Sequence, residues 1–226
     1  MKHADGGNST HGPEVIDVAI TPLDLPGCLR LPPSPFGIVV FAHGSGSSRL
    51  SPRNVYVAEA LGQAGLGTLL FDLLSPVEEL DRANVFDIPL LSRRLTAAVE
   101  WTGATTRTRG LPIGLFGSST GAAAALVAAA RLGDQVAAVV SRGGRPDLAD
   151  AALEEVGAPT LLIVGGNDIE VLRLNQAALA QLAGPKQLVI IPGATHLFSE
   201  PGALDAVVEA ARDWFGGYLG RDGASG

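Results

Sequence analysis

Cysteine is nearly absent from the 226-residue chain, which carries only Cys28. A single cysteine cannot form a disulfide within one chain, and it cannot build a cysteine-ligated zinc or iron–sulfur site. No cluster of histidines and carboxylates stands at metal-ligand spacing either. The sequence therefore predicts a protein of a reducing compartment, with the cytoplasm as its expected location, and it predicts neither a metal nor an organic cofactor.

Positive charge is also scarce. The chain has 16 lysines and arginines against 23 acidic residues, which gives a formal net charge of −7, and its only lysines are Lys2 and Lys186. A surplus of negative charge without a basic run disfavours nucleic-acid binding. Neither lysine follows a G-x-x-x-x-G pattern, so there is no P-loop, and Arg49 interrupts a dinucleotide-binding G-x-G-x-x-G that would begin at Gly44.

Long apolar runs are missing as well. The longest, over residues 121–130, is about half of the ~20 residues that a membrane-spanning helix requires. The first twelve residues are polar and rich in glycine, without the apolar segment of a secretory signal. We expect neither membrane insertion nor secretion by a standard signal.

Short apolar runs, in contrast, recur along the chain. Runs of about four to eight residues without polar alternation are typical of strands buried on both faces of a parallel sheet. Segments with the spacing of amphipathic helices separate them. The apolar runs are Ile38–Ala42, Thr68–Phe71, Ile113–Phe116, Val136–Val140, Thr160–Val164 and Leu188–Ile191. This alternation predicts an α/β fold with a doubly wound, mostly parallel sheet.

The N-terminal part differs from this pattern. Val15–Ile20 and Cys28–Leu31 flank the turn-forming pair Pro26-Gly27, which predicts an antiparallel hairpin at one edge of the sheet. No internal repeat and no shift of composition marks a second domain. We predict a single domain over residues 13–216 between disordered tails, 1–12 and 217–226.

The strongest local motif is the segment Gly117–Gly121, which reads GSSTG and has the G-x-S-x-G pattern centred on Ser119. It follows a predicted strand and precedes an alanine-rich predicted helix over residues 122–131. A strand, a sharp turn and a helix raise a serine hydroxyl above the sheet, and small neighbours permit the strained turn. The pattern also occurs in turns that only cap a helix, so the flanking elements carry the prediction that Ser119 is a nucleophile.

A serine needs a base to take its proton, and His196 is the candidate. It lies in the loop after the predicted strand Leu188–Ile191, at the edge where open α/β sheets bind their ligands. The other histidines are less suitable, because His3 and His11 fall in the predicted N-terminal tail and His43 belongs to a different motif.

The base needs an acid to orient it, and Asp168 stands after the predicted strand that precedes the strand of His196. The resulting chain order of serine, aspartate and histidine is the order used by α/β-hydrolases. Glu170 could take the role instead, and Asp168 could simply cap the following helix. Asp72, which follows the strand Thr68–Phe71, is a further rival.

The segment 43–48, with the sequence HGSGSS, follows the first long apolar run. Its glycines can direct a backbone N–H toward the oxygen of a tetrahedral intermediate. We predict that the backbone N–H groups of Ser45 and Thr120 form the oxyanion hole.

With these motifs the chain resembles the α/β-hydrolase superfamily and, within it, the small, capless dienelactone-hydrolase-like proteins, over residues 13 to 216. The resemblance rests on the segment 43–48, the G-x-S-x-G motif at Ser119, Asp168 and His196, which occur in the family's order. It implies hydrolysis of carboxylic esters or lactones by a Ser-His-Asp triad through an acyl-enzyme. Dienelactone hydrolases carry cysteine as the nucleophile, so the serine in this chain argues against dienelactone itself as substrate.

Other functions remain open from the sequence. A thioesterase would use the same triad, and a non-catalytic member of the fold would keep the pocket for a small ligand. A dinucleotide-binding oxidoreductase ranks last because the glycine fingerprint is incomplete. The expected partner is a small ester or lactone, with no nucleic acid and no membrane.

Arg142 is the one candidate for substrate binding outside this machinery. It follows the predicted strand Val136–Val140, at the same edge of the sheet. It could bind a substrate carboxylate through two parallel hydrogen bonds. In the alternative interpretation it forms a structural ion pair with Asp147 or Asp150.

Overall fold

An eight-stranded, mostly parallel sheet forms the centre of the structure, a computed structural model that describes residues 12–220. Most of the two predicted tails, residues 1–11 and 221–226, lies outside the described residues. The strands are β1 (Glu14–Ile20), β2 (Leu25–Leu31), β3 (Gly37–Ala42), β4 (Leu66–Phe71), β5 (Ile113–Ser118), β6 (Ala138–Arg142), β7 (Thr160–Gly165) and β8 (Lys186–Ile191). All six apolar runs that predicted buried strands overlap a strand of this sheet.

The α-helices lie between and after these strands. They are α1 (Pro52–Gln63), α2 (Arg82–Phe86), α3 (Ile88–Ala104), α4 (Thr120–Leu132), α5 (Ile169–Gln181) and α6 (Ala203–Leu219). Three 3₁₀ segments, Glu78–Leu80, Gly133–Gln135 and Pro146–Glu155, complete the connections. Within residues 12–220, every helix falls short of the length and hydropathy that crossing a bilayer requires.

The strand order is β1-β2-β4-β3-β5-β6-β7-β8. Strand β2 is antiparallel to both of its neighbours, and strands β3 to β8 are parallel to one another. The predicted doubly wound α/β fold with an N-terminal antiparallel hairpin is therefore confirmed.

Two apolar layers cover the faces of the sheet, because side chains alternate along each strand. In β3, Val40 faces the layer formed with α3, α4 and α5, whereas Val39 and Phe41 face the layer formed with α1 and α6. Burial on both faces explains why the strands show continuous apolar runs rather than polar alternation.

The hairpin turn lies earlier than predicted. Pro26 and Gly27 are inside β2, where Gly27 pairs with Val18 of β1, and the turn is formed by residues 21–24. Asp24 provides the left-handed backbone of the turn, with φ of +54°. A Cβ atom at position 27 would lie 3.0 Å from Cγ2 of Val18, so the glycine serves close strand packing rather than a turn.

Two other predicted boundaries also shift. Strand β6 starts at Ala138 and extends to Arg142, because a 3₁₀ turn occupies the residues before it. Helix α6 extends to Leu219, which is buried against Gly37, so residues 217–219 belong to the domain and not to the predicted tail.

The parallel strands end at one edge of the sheet, and the predicted functional residues follow those ends. The connection between β6 and β7 contains the 3₁₀ segment Pro146–Glu155 in place of a separate cap domain. This edge is therefore not covered by an insertion between those two strands.

Candidate active site

Ser119 is held in a strained backbone conformation between β5 and α4. Its φ of +52° and ψ of −121° lie in a region that side chains other than glycine rarely occupy. Two hydrogen bonds fix this conformation: the Ser119 N–H donates to the carbonyl of Arg142 at 3.3 Å, and the N–H of Arg145 donates to the Ser119 carbonyl at 3.1 Å. The strain of the turn is therefore maintained by the neighbouring connection after β6.

The two glycines of the G-x-S-x-G motif are required by close packing. A Cβ atom at Gly117 would lie 2.4 Å from Cα of Ala122, and one at Gly121 would lie 2.3 Å from the carbonyl oxygen of Ala42. Any side chain at either position would push α4 away from the sheet. The motif in this chain thus reflects backbone packing around Ser119 and not an accidental run of small residues.

His196 and Asp168 form a hydrogen-bonded pair at the same edge. Nδ1 of His196 and Oδ2 of Asp168 are 2.7 Å apart. With a carboxylate as its partner, Nδ1 carries the proton, which leaves Nε2 of the neutral ring as an acceptor. The Asp168 carboxylate forms no capping bond to α5, and Glu170 is exposed and has no hydrogen bond to His196.

The connection after β6 contacts both His196 and Ser119. A Cβ atom at Gly143 would lie 3.2 Å from the His196 carbonyl and 3.6 Å from its Nδ1. Gly143 follows Arg142, whose carbonyl accepts the Ser119 N–H. Ser119 and His196 therefore flank the same turn, although no hydrogen bond joins their side chains in the described part of the chain.

The segment 43–49, which we call the His43 loop, is anchored by the buried ring of His43. Nδ1 of His43 donates to the carbonyl of Gly44 at 3.1 Å, and Nε2 accepts the N–H of Leu73 at 3.0 Å. Burial lowers the pKa of His43 below its ordinary value of 6.5, against smaller opposing effects of the Gly44 carbonyl, Asp72 and Glu79. The ring is neutral near pH 7, as its acceptor role requires.

Asp72 provides a second anchor of the His43 loop. One carboxylate oxygen accepts the backbone N–H of Arg49 at 2.7 Å, and the other forms a salt bridge with the Arg49 guanidinium. Asp72 thus contacts Arg49, while the carboxylate that contacts His196 belongs to Asp168. No feature of the sequence indicated this role for Arg49.

The two predicted oxyanion donors differ in their surroundings. Thr120 is the first residue of α4, so its backbone N–H has no partner within the helix. The Ser45 N–H donates to Oγ1 of Thr120 at 3.0 Å and is therefore already engaged. Gly44 lies against the nucleophile, since a Cβ atom there would be 2.9 Å from Cβ of Ser119.

A cavity of about 570 Å³ opens beside the His43 loop. Both polar and aliphatic residues line it. The polar ones include Ser45, Ser47, Ser48, Ser51 and Arg53, and the aliphatic ones include Leu73, Leu74, Val85 and Leu91. Thr120 also lines the cavity, which places it next to the turn that carries Ser119.

Arg142 lies at the end of β6 and is 8% exposed. Its register partner in β5 is Ser118, whose hydroxyl donates to Oδ1 of Asn54 in α1, so both side chains are on the α1 face. Nε and Nη1 of Arg142 are buried without a hydrogen-bond partner among the described residues. Burial, followed by the nearby Arg53, lowers the pKa of Arg142 to about 10.

The structure gives Arg142 neither of the two predicted types of partner. Asp147 is bound by Arg145, through hydrogen bonds of 2.9 and 2.7 Å, and Asp150 forms no ion pair within residues 12–220. Arg142, like the three predicted triad residues, is also not among the residues that line the cavity. A contact between its guanidinium and a substrate in the cavity would require the side chain to move.

Residues 12–220 contain no group of three or more histidine, cysteine or carboxylate side chains that could hold a metal ion. The groups present at this edge are a strained serine, a carboxylate-bound histidine and backbone donors at a helix start.

Known proteins share this architecture. The sequence model of the dienelactone hydrolase family matches residues 68–216. The crystal structure of a dienelactone hydrolase from Anabaena variabilis ATCC 29413 has 56% sequence identity and a TM-score of 0.89, and the match covers 92% of this chain and 100% of that one. Est1E from Butyrivibrio proteoclasticus has a TM-score of 0.74 over 89% of this chain and 97% of its own, at 18% identity, which shows a similar fold.

Two curated proteins of Mycobacterium tuberculosis, from strains CDC 1551 / Oshkosh and ATCC 25618 / H37Rv, are 58% identical to the chain over 213 residues. Both carry the name "Putative phosphoribosyl transferase". The matching region covers 94% of this chain and 48% of each relative, so the chain spans about half the length of these proteins.

Proposed function

The chain belongs to the dienelactone hydrolase family, and from this premise we propose that it is a serine hydrolase that cleaves carboxylic esters or lactones. The observation that carries the proposal is the 2.7 Å contact between His196 and Asp168 at the edge where Ser119 has its strained backbone. The expected setting is the cytoplasm, which agrees with the single cysteine of the chain.

The reaction begins with attack of Ser119 Oγ on the carbonyl carbon of the substrate. The serine proton passes to Nε2 of His196, and Asp168 stabilises the imidazolium that forms and holds the ring in position. The tetrahedral intermediate collapses when the His196 imidazolium gives its proton to the leaving alkoxide. An ester bond then joins Ser119 to the acyl group.

Water completes the cycle. Nε2 of His196 takes a proton from a water molecule, which attacks the acyl-enzyme, and the proton then returns to Ser119 Oγ as the acid leaves. The missing hydrogen bond between Ser119 and His196 is compatible with this role, because catalytic hydrogen bonds are often long in unliganded enzymes and shorten when substrate binds.

The identity of the nucleophile limits the substrate class. Ser119 stands where dienelactone hydrolases carry cysteine, and Cys28 is in β2, which β4 and β3 separate from the strand that precedes Ser119. We therefore propose esters and lactones other than dienelactone. Thioesters would react through the same residues. A non-catalytic ligand-binding protein is the alternative from a different class, and nucleophilic reactivity of Ser119 distinguishes the two.

Neither Arg142 nor phosphoribosyl transfer enters the proposed mechanism. The sequence-based prediction that Arg142 binds a substrate carboxylate is not part of the proposal, because its buried Nε and Nη1 would have to be exposed for that purpose. The name of the Mycobacterium tuberculosis relatives refers to proteins of which this chain matches 48%. The family match concerns the hydrolase region itself, and it supports hydrolysis.

A fluorophosphonate probe tests the proposal directly, because it reacts preferentially with an activated serine and forms a covalent bond to it. Labelling of the whole chain, followed by peptide mapping, should identify Ser119, and the same preparation should hydrolyse p-nitrophenyl acetate. A chain that binds no probe and turns over neither oxygen esters nor thioesters would point to the non-catalytic alternative. Labelling at another serine would contradict the assignment of the nucleophile.

A further inference from the structure

The hydroxyl of Thr120 lies between the His43 loop and the cavity. Its Oγ1 accepts the Ser45 N–H at 3.0 Å, and the residue is 4% exposed while lining the cavity. A hydroxyl that accepts a hydrogen bond still has its own hydrogen to donate. Within residues 12–220, the Thr120 hydroxyl donates to no other group. A nearly buried donor without an acceptor is unfavourable, and the adjoining cavity is where an acceptor can arrive.

The engagement of Ser45 changes how an oxyanion can be bound here. A backbone N–H has one hydrogen, so the Ser45 amide cannot make a full hydrogen bond to Thr120 and another to a substrate oxygen. Thr120, in contrast, offers two unused donors, its backbone N–H at the start of α4 and its hydroxyl. Both belong to the residue that directly follows Ser119.

We propose that Thr120 supplies both direct donors to the oxyanion, its backbone N–H and its hydroxyl, while the Ser45 N–H acts indirectly by polarising that hydroxyl. The inference rests on the proposed function, since the oxyanion forms only when Ser119 attacks a carbonyl. In a chain of hydrogen bonds from N–H to O–H to an anionic oxygen, each bond strengthens the next. Thr120 is then a catalytic residue, and Ser45 is a positioning residue.

The anchors of the His43 loop support this arrangement. His43 joins Gly44 to Leu73, and Asp72 joins Arg49 to the end of β4. These contacts fix the His43 loop at Gly44, before Ser45 in the chain, and at Arg49, after it. The Thr120 hydroxyl oxygen is therefore held in place before substrate arrives, which is what stabilisation of a developing charge requires.

Thr120→Val tests the inference, because valine keeps the branched shape and removes the hydroxyl. Loss of one oxyanion donor lowers kcat by about 100-fold or more. We expect a decrease of that size in the hydrolysis of p-nitrophenyl acetate, with KM nearly unchanged. Phenylboronic acid, which forms a tetrahedral adduct with an active serine, should bind the variant more weakly by a similar factor.

Thr120→Ser is the matched control, because it restores a hydroxyl at the same position. It should retain kcat and phenylboronic acid binding within about fivefold of the wild type, far less than the loss of a donor. Thermal unfolding of each variant establishes that the fold is intact. If the valine variant does not fold, Thr120→Ala replaces it, since it also lacks the hydroxyl and introduces no larger group.

The outcomes separate this inference from the proposed function. A wild type that is labelled at Ser119 and active, together with a Thr120→Val variant of equal or higher kcat, would overturn only the inference, and Ser45 would then be the direct donor. A wild type without labelling and turnover would overturn the proposed function and the inference with it.

Discussion

The Asp168 carboxylate and the His196 imidazole are 2.7 Å apart although the two residues are 28 positions apart in the chain. Asp168 follows β7 and His196 follows β8, which are adjacent parallel strands. A second contact strengthens this junction, because Nδ2 of Asn167 donates to the carbonyl of Gly193 at 2.9 Å. The orientation of the base is thus fixed by two neighbouring strand ends rather than by a local motif.

Ser119→Ala should abolish ester hydrolysis and fluorophosphonate labelling while leaving the fold intact. Removal of the nucleophile of a triad costs on the order of 10⁶-fold in kcat, and alanine fits the space of serine. The measurement is the turnover of p-nitrophenyl acetate, with circular dichroism as a check of the fold. Retention of more than a few per cent of the wild-type rate would exclude Ser119 as the nucleophile.

Ser118→Ala is the matched control for that experiment. Ser118 directly precedes Ser119, but its hydroxyl is on the α1 face and bonds to Asn54. We expect nearly wild-type turnover and a loss of about 1 kcal/mol of unfolding free energy, the contribution of one hydrogen bond.

Asp168→Asn should lower kcat by roughly 10⁴-fold, because asparagine keeps the shape but favours the wrong tautomer of His196. Two parallel variants discriminate between the rival acids. Glu170→Gln should be nearly silent, since that side chain is exposed and does not contact His196. Asp72→Asn should weaken the anchoring of Arg49 and reduce kcat far less than Asp168→Asn. If Asp72→Asn gave the larger loss, Asp72 would be the acid of the triad.

Acid should destabilise the fold through His43. Its pKa is lowered in the folded state from 6.5, so the unfolded chain binds the proton more readily. The stabilisation is therefore complete above about pH 6.5 and is lost as the pH falls toward the folded pKa, with a slope of at most about 1.4 kcal/mol per pH unit for one proton. Physically, a protonated ring could no longer accept the N–H of Leu73.

Urea unfolding between pH 5 and pH 7.5 tests this prediction. The wild type should lose free energy of unfolding more steeply on acidification than His43→Gln, which has no titrating ring at this position. Parallel curves for the two proteins would show that His43 does not titrate in this range and would contradict the prediction.

The sequence predicted those features that depend on patterns within one segment. Continuous apolar runs indicated the parallel strands, and the strand–turn–helix context of GSSTG indicated the turn at Ser119. Turn propensity was misleading at Pro26-Gly27, because pairing of β2 with both of its neighbours outweighs the local preference of these two residues. The order of Asp168 and His196 followed from the order of the strands that precede them.

Contacts between distant segments could not be predicted from a pattern within one segment. Ser45 and Thr120 are 75 positions apart, and Arg49 and Asp72 are 23 apart. Their hydrogen bonds depend on how the His43 loop packs against α4 and the end of β4. No spacing or periodicity within either segment encodes that packing, so the engagement of the Ser45 amide could be found only in the structure.

The burial of Arg142 makes a structural cost of its charge distinguishable from a role in binding substrate. A guanidinium with two buried, unpartnered nitrogens is unfavourable, and the nearby Arg53 adds repulsion. Replacement of buried charge by an apolar side chain of similar volume is often neutral or stabilising, by about 1 to 4 kcal/mol. We therefore expect Arg142→Met to keep or raise the free energy of unfolding and to leave kcat/KM unchanged.

The kinetic test uses two esters that differ only in a carboxylate. A bidentate contact with Arg142 would be worth roughly 1.5 to 3 kcal/mol, so its loss would slow the anionic ester by about one to two orders of magnitude and spare the neutral one. Arg145→Met is the matched control, since Arg145 is more exposed and pairs with Asp147. Selective slowing of the anionic ester by Arg142→Met alone would mean that the guanidinium turns toward the cavity when substrate binds. If Arg142→Met instead hydrolyses each ester at the wild-type rate, the guanidinium does not bind substrate, and Arg142 only packs between β6 and α1.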